Sequence, residues 1–427
     1  MYRITGHYNI NAITTTKHLS YTGTTCIMEI TTVSLLVICS PLCMAIYTSN
    51  YIHPDAGISS KEIIQKYGYP LEIHTIETED GYLLETYRIP YGKRNLTSKS
   101  QLPVLLVPGL VCTSLIYLNL GPGLSLGFML ADEGYDVWLA NTRGTRWSKR
   151  HKFLDAVQNE KEFFDYSFHE VGLYDITANI DYILKRTNFK KLFYVGHSQG
   201  TTSFFAMAAT KPQYNDRIIL MIALAPVAYV FNVQNPVVTF VKHHLPEIQK
   251  LAEKNRVYEL ASYSPPLASL GSLLCNDYAV TQIFCASIFY FFGGYSPHFN
   301  TTALPAIIAE YPAGTSTRMI FHYVQLAISE QFQMYDYGID ENVKKYGTKT
   351  PSKYNISAIT APVALYYGGS DGLSTRSDVE VLIPQLPNLV EKQFIKDYSH
   401  MDFQWAKNIV PVLHSKLIEI IKKYSKK

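Results

Sequence analysis

The sequence predicts an α/β fold: a mostly parallel sheet with helices on both faces, and a cap inserted before its last strands. Three observations carry this expectation. Apolar runs of strand length alternate with helical patterns along most of the chain. A glycine-flanked serine, Ser198, stands between one such strand and one such helix. The alternation breaks once, between about 230 and 353, where the chain turns rich in Phe, Tyr and Pro. Alternating strand and helix is the pattern of a parallel sheet, because each crossover lays a helix against it. With 427 residues, 47% hydrophobic and 17% charged, the chain has material for one large core or two medium domains.

Taken in order, a polar lead-in reaches Tyr69-Pro70, and HTIETEDGYLLETYRI then reads as a hairpin turning at Asp80-Gly81. Strand-length runs follow at PVLLVPG (103–109), YDVWLAN (135–141), KLFYVGH (191–197), IILMIALAPV (218–227) and APVALYYGG (361–369). Most are continuous rather than alternating, as expected for strands covered on both faces. Between them, Leu173, Ile176, Ile180, Ile183 and Leu184 recur at helical spacing, with Asp175 and Asp181 assigned to the opposite, solvent-facing side. The irregular stretch lies between two strands of the sheet, so it reads as an insertion over the sheet rather than a terminal domain. No internal repeat or low-complexity linker is evident.

The N-terminal region reads as a targeting segment. VSLLVICSPLCMAIY (33–47) is too short for a membrane span, which needs roughly 20 apolar residues. It ends in Cys43-Met44-Ala45, small residues of the kind a signal peptidase reads. Residues 1–45 are therefore assigned to a signal peptide, with Met28 as the start and the polar stretch before it as a non-native extension. A start at Met28 leaves this signal without a positive leading region. Of six cysteines, Cys26, Cys39 and Cys43 fall in the removed part, leaving Cys112, Cys275 and Cys285. The last two are close enough for a local disulfide, although spacing leaves a pair of buried thiols equally open. Sequons at Asn95, Asn300 and Asn355 fit the secretory route. The balance of 38 basic against 35 acidic side chains leaves no footprint for nucleic acid.

The chemistry centres on Gly196-His197-Ser198-Gln199-Gly200, directly after the strand LFYV and directly before the helical run TTSFFAMAA. A serine on such a strand-to-helix elbow is pushed out at the end of the sheet, and side chains at Gly196 or Gly200 would collide with what packs around the turn. Serine needs a base to take its proton, and in α/β-hydrolases the chain order is Ser, then Asp or Glu, then His. Asp371 follows the strand APVALYYGG and is the expected acid, ahead of Asp378 and Asp397. His400 follows the last strand-like run and is the expected base, whereas His197, inside the elbow, is expected to point away from the Ser198 hydroxyl. The oxyanion hole is expected from the N–H of Gln199 and the N–H of Leu110, in the loop Pro108-Gly109-Leu110. This chemistry requires neither a metal nor an organic cofactor.

These residues resemble the acid lipases, a family that includes gastric and lysosomal acid lipases with many insect digestive relatives. The likeness extends from about Gly57 onwards, through GYDVWLANTRG (134–144), YVGHSQGTT (194–202), YPAGTS (311–316), YGGSDGL (367–373) and YSHMDFQWA (398–406). The resemblance implies an α/β-hydrolase fold with a mobile lid, hydrolysis of triacylglycerols or steryl esters, and the triad named above. It implies a cap disulfide for Cys275 and Cys285, with a third cap cysteine replaced near Phe292, and glycans at Asn300 and Asn355. Two departures stand out. The family's oxyanion loop usually reads His-Gly-Leu where this chain has Pro108-Gly109-Leu110, and Gly372-Leu373-Ser374-Thr375 replaces Leu-Leu-Ala-Asp after the acid, pointing to a looser acid loop.

The expected organisation is therefore a core in two parts, 46–229 and 354–427, with a cap and lid at 230–353. The expected activity is that of a secreted serine lipase, in the extracellular space or gut lumen, with the lysosome as the other destination. It would contact a lipid interface transiently and carry no transmembrane segment once mature. A carboxylesterase for short soluble esters and a non-catalytic lipid carrier on the same fold are the alternatives. The apolar run AVTQIFCASIFYFFGGY (279–295) is read as the lid, or else as a helix packed within the cap.

Overall fold

The computed structural model describes residues 53–93, 101–277 and 279–426. Residues 1–45, read above as a signal peptide, and Asn95 lie outside the described residues.

Eight strands form one sheet: β1 (Glu72–Glu77), β2 (Leu83–Ile89), β3 (Pro103–Val107), β4 (Asp136–Leu139), β5 (Leu192–His197), β6 (Ile218–Leu224), β9 (Val363–Gly368) and β10 (Leu389–Ile395). Their spatial order is β1-β2-β4-β3-β5-β6-β9-β10. The hairpin β1–β2 is antiparallel, with Gly81 at φ +97° in its turn, and β2 runs antiparallel to β4. Every pairing from β4 to β10 is parallel. A short antiparallel pair in the inserted region, β7 (Glu259–Leu260) with β8 (Thr315–Ser316), completes the strands.

All residues of β3, β4, β5 and β9 are buried. Alternate side chains serve opposite faces: Val104, Leu106, Phe193 and Val195 join one core layer, Leu105, Val107, Leu192 and Tyr194 the other. The C-terminal helix Ser415–Ser425 covers the first face through Leu417 and Ile421, and the helices Thr177–Thr187 and Gln199–Thr210 cover the second through Ile180, Ile183 and Phe204. This two-sided burial is why the strands read as continuous apolar runs.

The helical spacing around 171–187 placed Ile176, Ile180 and Ile183 correctly, but Asp175 does not face solvent. It is 1% exposed and bonded to Arg143, which reaches it from the loop after β4. Arg143 Nε lies 2.7 Å from Asp175 Oδ1, and its backbone N–H donates to Asp175 Oδ2 at 2.8 Å. Asp80 takes the other guanidinium nitrogens at 2.6 and 2.9 Å, and the Tyr82 ring lies against the guanidinium. A charge is tolerated in the core only when paired and hydrogen-bonded, and here the partner lies far along the chain. Asp181, by contrast, is exposed as expected.

Between β6 and β9, residues 225–362 leave the sheet and form mainly helices, among them Pro236–His243, Leu245–Lys254, Pro265–Leu274, Gln282–Gly293 and Thr317–Ser329. The apolar run 279–295 supplies the helix Gln282–Gly293, which is two-faced. Ala286, Phe289 and Gly293 are buried, with Phe289 against Phe299, Tyr311 and Trp405. Ile283, Phe284 and Ile288 on its other side are 60–70% exposed. Cys275 and Cys285 are joined by a disulfide that ties this helix to its predecessor, and Cys112 is free and buried. Among the described residues, no helix is long and apolar enough to cross a membrane.

Candidate active site

β5 ends at His197 and the helix Gln199–Thr210 begins one residue after Ser198. Ser198 therefore makes the whole turn and sits at φ +51°, ψ −118°, a conformation that costs a side-chain-bearing residue roughly 1–3 kcal/mol. The elbow closes only because two glycines permit contact. A Cβ on Gly196 would lie 2.8 Å from the Gly200 backbone, and one on Gly200 would lie 2.5 Å from the Val107 carbonyl at the end of β3. The Ser198 N–H is held by the Leu224 carbonyl at 3.0 Å, and the Ser198 carbonyl accepts from Thr201.

The loops after β9 and β10 bring Asp371 and His400 to the same end of the sheet. His400 Nε2 is 2.8 Å from Ser198 Oγ, and His400 Nδ1 is 2.9 and 3.0 Å from the two Asp371 oxygens. Asp371 and His400 are 7% and 3% exposed, so the chain of hydrogen bonds is shielded from bulk water while Ser198 is half-buried. In the neutral imidazole, Nδ1–H donates to Asp371 and Nε2 is left to accept from the serine hydroxyl. The other candidate acids lie elsewhere. Asp378 is occupied by Asn232 and Thr375, and Asp397 is exposed.

The acid loop is tied down despite its departure from the family pattern. Asp371 Oδ1 accepts from the N–H groups of Leu373 and Ser374 at 2.9 and 2.7 Å, and Ser374 Oγ donates to the Pro226 carbonyl at 2.6 Å. Ser374, where the family pattern has alanine, thus ties this loop to the chain just after β6.

Pro108, Gly109 and Leu110 follow β3 beside the elbow, where a Cβ on Gly109 would stand 3.2 Å from Ser198 Cβ. Neither the Leu110 nor the Gln199 N–H is bonded to another described residue. Val111, a β-branched residue at φ +53°, turns the chain sharply after Leu110. Its carbonyl is fixed by the Ala313 N–H at 2.8 Å.

Two supports of this site were not read from the sequence. His197 points away from the serine hydroxyl, as expected, and its Nε2–H donates to the His400 carbonyl at 3.2 Å. Burial, followed by the neighbouring His400, lowers its pKa to about 3, so it stays neutral. Glu310 is 2% exposed, and its carboxylate gathers Ser60, Thr113 and Trp147 beneath the loop after β3. Neither follows a local motif, since each acts through partners distant in sequence. Burial also pushes the Cys112 thiol up to about 12, so it stays protonated. Asn355 is exposed, with its Oδ1 accepting from the Ser357 N–H, and Asn300 is half-buried.

Comparison with known proteins places this geometry in a family. Residues 60–121 match the profile described as a partial alpha/beta-hydrolase lipase region, and residues 103–261 match the alpha/beta hydrolase fold. Lipase 1 of Drosophila melanogaster is 36% identical over 87% of this chain and 81% of its own length. Gastric triacylglycerol lipase of Mus musculus is 37% identical over 86% of this chain and 93% of its own. Lysosomal acid lipase/cholesteryl ester hydrolase of Macaca fascicularis is 34% identical over 87% and 93%. With relatives this similar over nearly their full length, and an eight-stranded sheet in the order just described, the chain belongs to the acid lipase family of α/β-hydrolases.

Proposed function

We propose that this chain is a secreted serine lipase, hydrolysing the carboxylic esters of triacylglycerols or sterols through an acyl-enzyme on Ser198. The observation that carries the reading is the position of His400, 2.8 Å from Ser198 Oγ and 2.9 Å from Asp371. Ser198 attacks the ester carbonyl while His400 takes its proton, and Asp371 orients the imidazole and stabilises its charged form. The Leu110 and Gln199 N–H groups face the developing oxyanion; removing one such donor typically costs ~10²–10³ in rate. His400 returns its proton to the leaving alcohol, then draws one from water to release the acid.

Residues 230–353 act as the cap over this site, with the core in two parts, 46–229 and 354–427. The exposed side of the helix Gln282–Gly293 carries Ile283 at 67% and Phe284 at 70% exposure, and Leu267, on the disulfide-linked preceding helix, is 59% exposed. Such exposed apolar side chains suit transient docking on a lipid interface. The disulfide supports passage through the oxidising secretory route, with glycans at Asn95, Asn300 and Asn355.

The test compares the purified chain with Ser198→Ala on a long-chain triacylglycerol emulsion and on a short soluble ester. Hydrolysis of both that falls roughly 10³-fold or more in the variant is the expected result. Turnover of the soluble ester alone indicates a carboxylesterase, and no serine-dependent turnover indicates a lipid carrier.

A further inference from the structure

We infer that the C-terminal end of the helix Gln282–Gly293 is a positioning element for the catalytic acid and base, with the Gly293 carbonyl as its contact point. The inference rests on the triad proposed above and assigns a role to a part of the cap that the triad does not include. The last four carbonyls of a helix have no partner within it and must find donors elsewhere. Here the Gly293 carbonyl finds two. It accepts from the His400 N–H at 2.9 Å and from the Gly372 N–H, next to Asp371, at 3.1 Å. One oxygen atom thus links the loop carrying the base to the loop carrying the acid.

At Gly294 the approach is too close for any residue but glycine. Gly294 ends the helix at φ +91°, ψ 153°, a region essentially restricted to glycine. A Cβ there would lie 1.9 Å from the Ser370 carbonyl, on the residue preceding Asp371. A Cβ on Gly293 would meet Met401 Cγ at 2.8 Å and stand 3.4 Å from His400 Cβ. The helix end is consequently seated between the two loops. The disulfide at Cys285 anchors the same helix at the end of its first turn.

This geometry also limits motion. If the helix swung away as a rigid lid, it would break both hydrogen bonds to the triad loops.

The test uses full-length protein with the short soluble ester, so that lipid adsorption does not enter. Gly294→Ala should lower kcat about tenfold or more with KM within twofold, since an error of about 1 Å in reacting groups costs up to ~10² in rate. Gly293→Ala, whose nearest obstacle is the flexible Met401 side chain, should fold and lose about three- to tenfold in kcat. Adding Met401→Ala to it should restore most of that loss by removing the obstacle. Wild-type kcat in folded Gly293→Ala, or a loss that Met401→Ala does not reverse, overturns the inference. Absence of Ser198-dependent turnover in the unmutated protein instead refutes the proposed function, and the inference falls with it.

Discussion

Glu310 offers the sharpest test of how the loop after β3 is held. Its carboxylate is buried and accepts from the Ser60 N–H at 3.0 Å, the Trp147 Nε1–H at 2.9 Å, the Ser60 hydroxyl at 2.9 Å and the Thr113 hydroxyl. In Glu310→Ala, the two hydroxyls can rotate towards other acceptors, but the Ser60 and Trp147 N–H groups are fixed in direction and lose theirs. Each buried donor left unsatisfied costs about 1–3 kcal/mol, so the variant should lose roughly 3–5 kcal/mol once the missing side-chain volume is included. Glu310→Gln behaves differently. Its amide oxygen can keep both N–H donors while its NH₂ faces the Ser60 and Thr113 hydroxyls, which can accept. That exchange should cost about 1–2 kcal/mol, the difference between a charged and a neutral acceptor. Urea unfolding followed by tryptophan fluorescence measures both, and initial rates on a short soluble ester report the loop. Because Thr113 lies three residues beyond Leu110, Glu310→Ala should also lower kcat more than Glu310→Gln does. Equal destabilisation in the two variants, or a loss below about 1 kcal/mol in Glu310→Ala, would falsify this account of the site.

Other consequences are open to the same unfolding measurements. Ser198→Gly and Ser198→Ala both remove the hydroxyl, but only glycine relieves φ +51°; the glycine variant should be more stable by about 1 kcal/mol after its extra unfolded-state entropy. If alanine proves equal or better there, the elbow stores no strain. His414 is buried, donates through Nδ1 to the Leu124 carbonyl, and has its pKa lowered by burial to about 4. Because the folded form resists protonation, its contribution is complete above pH ~6.5 and is lost as pH falls towards 4. His414→Gln should therefore approach wild-type stability by about 2.5 kcal/mol between pH 7.5 and pH 4.5; a gap that stays constant across this range contradicts the assignment. Arg143→Met leaves the buried Asp175 unpaired and should cost about 3–5 kcal/mol, with Arg143→Met/Asp175→Asn recovering at least half. A double variant no better than the single one shows that the pair is not the source of the loss.

The strands, and the meeting of Ser198, Asp371 and His400, were legible because their signals are local. A run such as LFYVGHSQG declares a buried strand, a tight turn and a helix within a few residues. Asp371 and His400 could be placed once the order of strands was known, since each follows its strand directly. What escaped was set by distance along the chain. Asp175 looked solvent-facing because a helical pattern registers polarity but not a partner in another loop. Glu310 and the His197 imidazole act through contacts with no spacing rule. The apolar run 279–295 showed a helix but not which of its sides would be buried, because nearly every position is apolar. Phe289, near the middle of the run, belongs to the packed side at 5% exposure, so Phe289→Asp would bury a carboxylate against Phe299, Tyr311 and Trp405.

The order in which the parts of the site are made has a consequence of its own. Ser198 and His400 are 202 residues apart, with the whole insertion between them. At a synthesis rate of ~5–20 residues per second, roughly 10–40 s separate the appearance of the proposed nucleophile from that of its proposed base. Between the completion of β6 at Leu224 and that of β9 at Gly368, β6 awaits its neighbour, and until His400 appears the serine hydroxyl lacks that partner. On the triad proposed above, the nascent chain would stay chemically silent until its last strands join the sheet. In that reading the chain order itself delays the reaction.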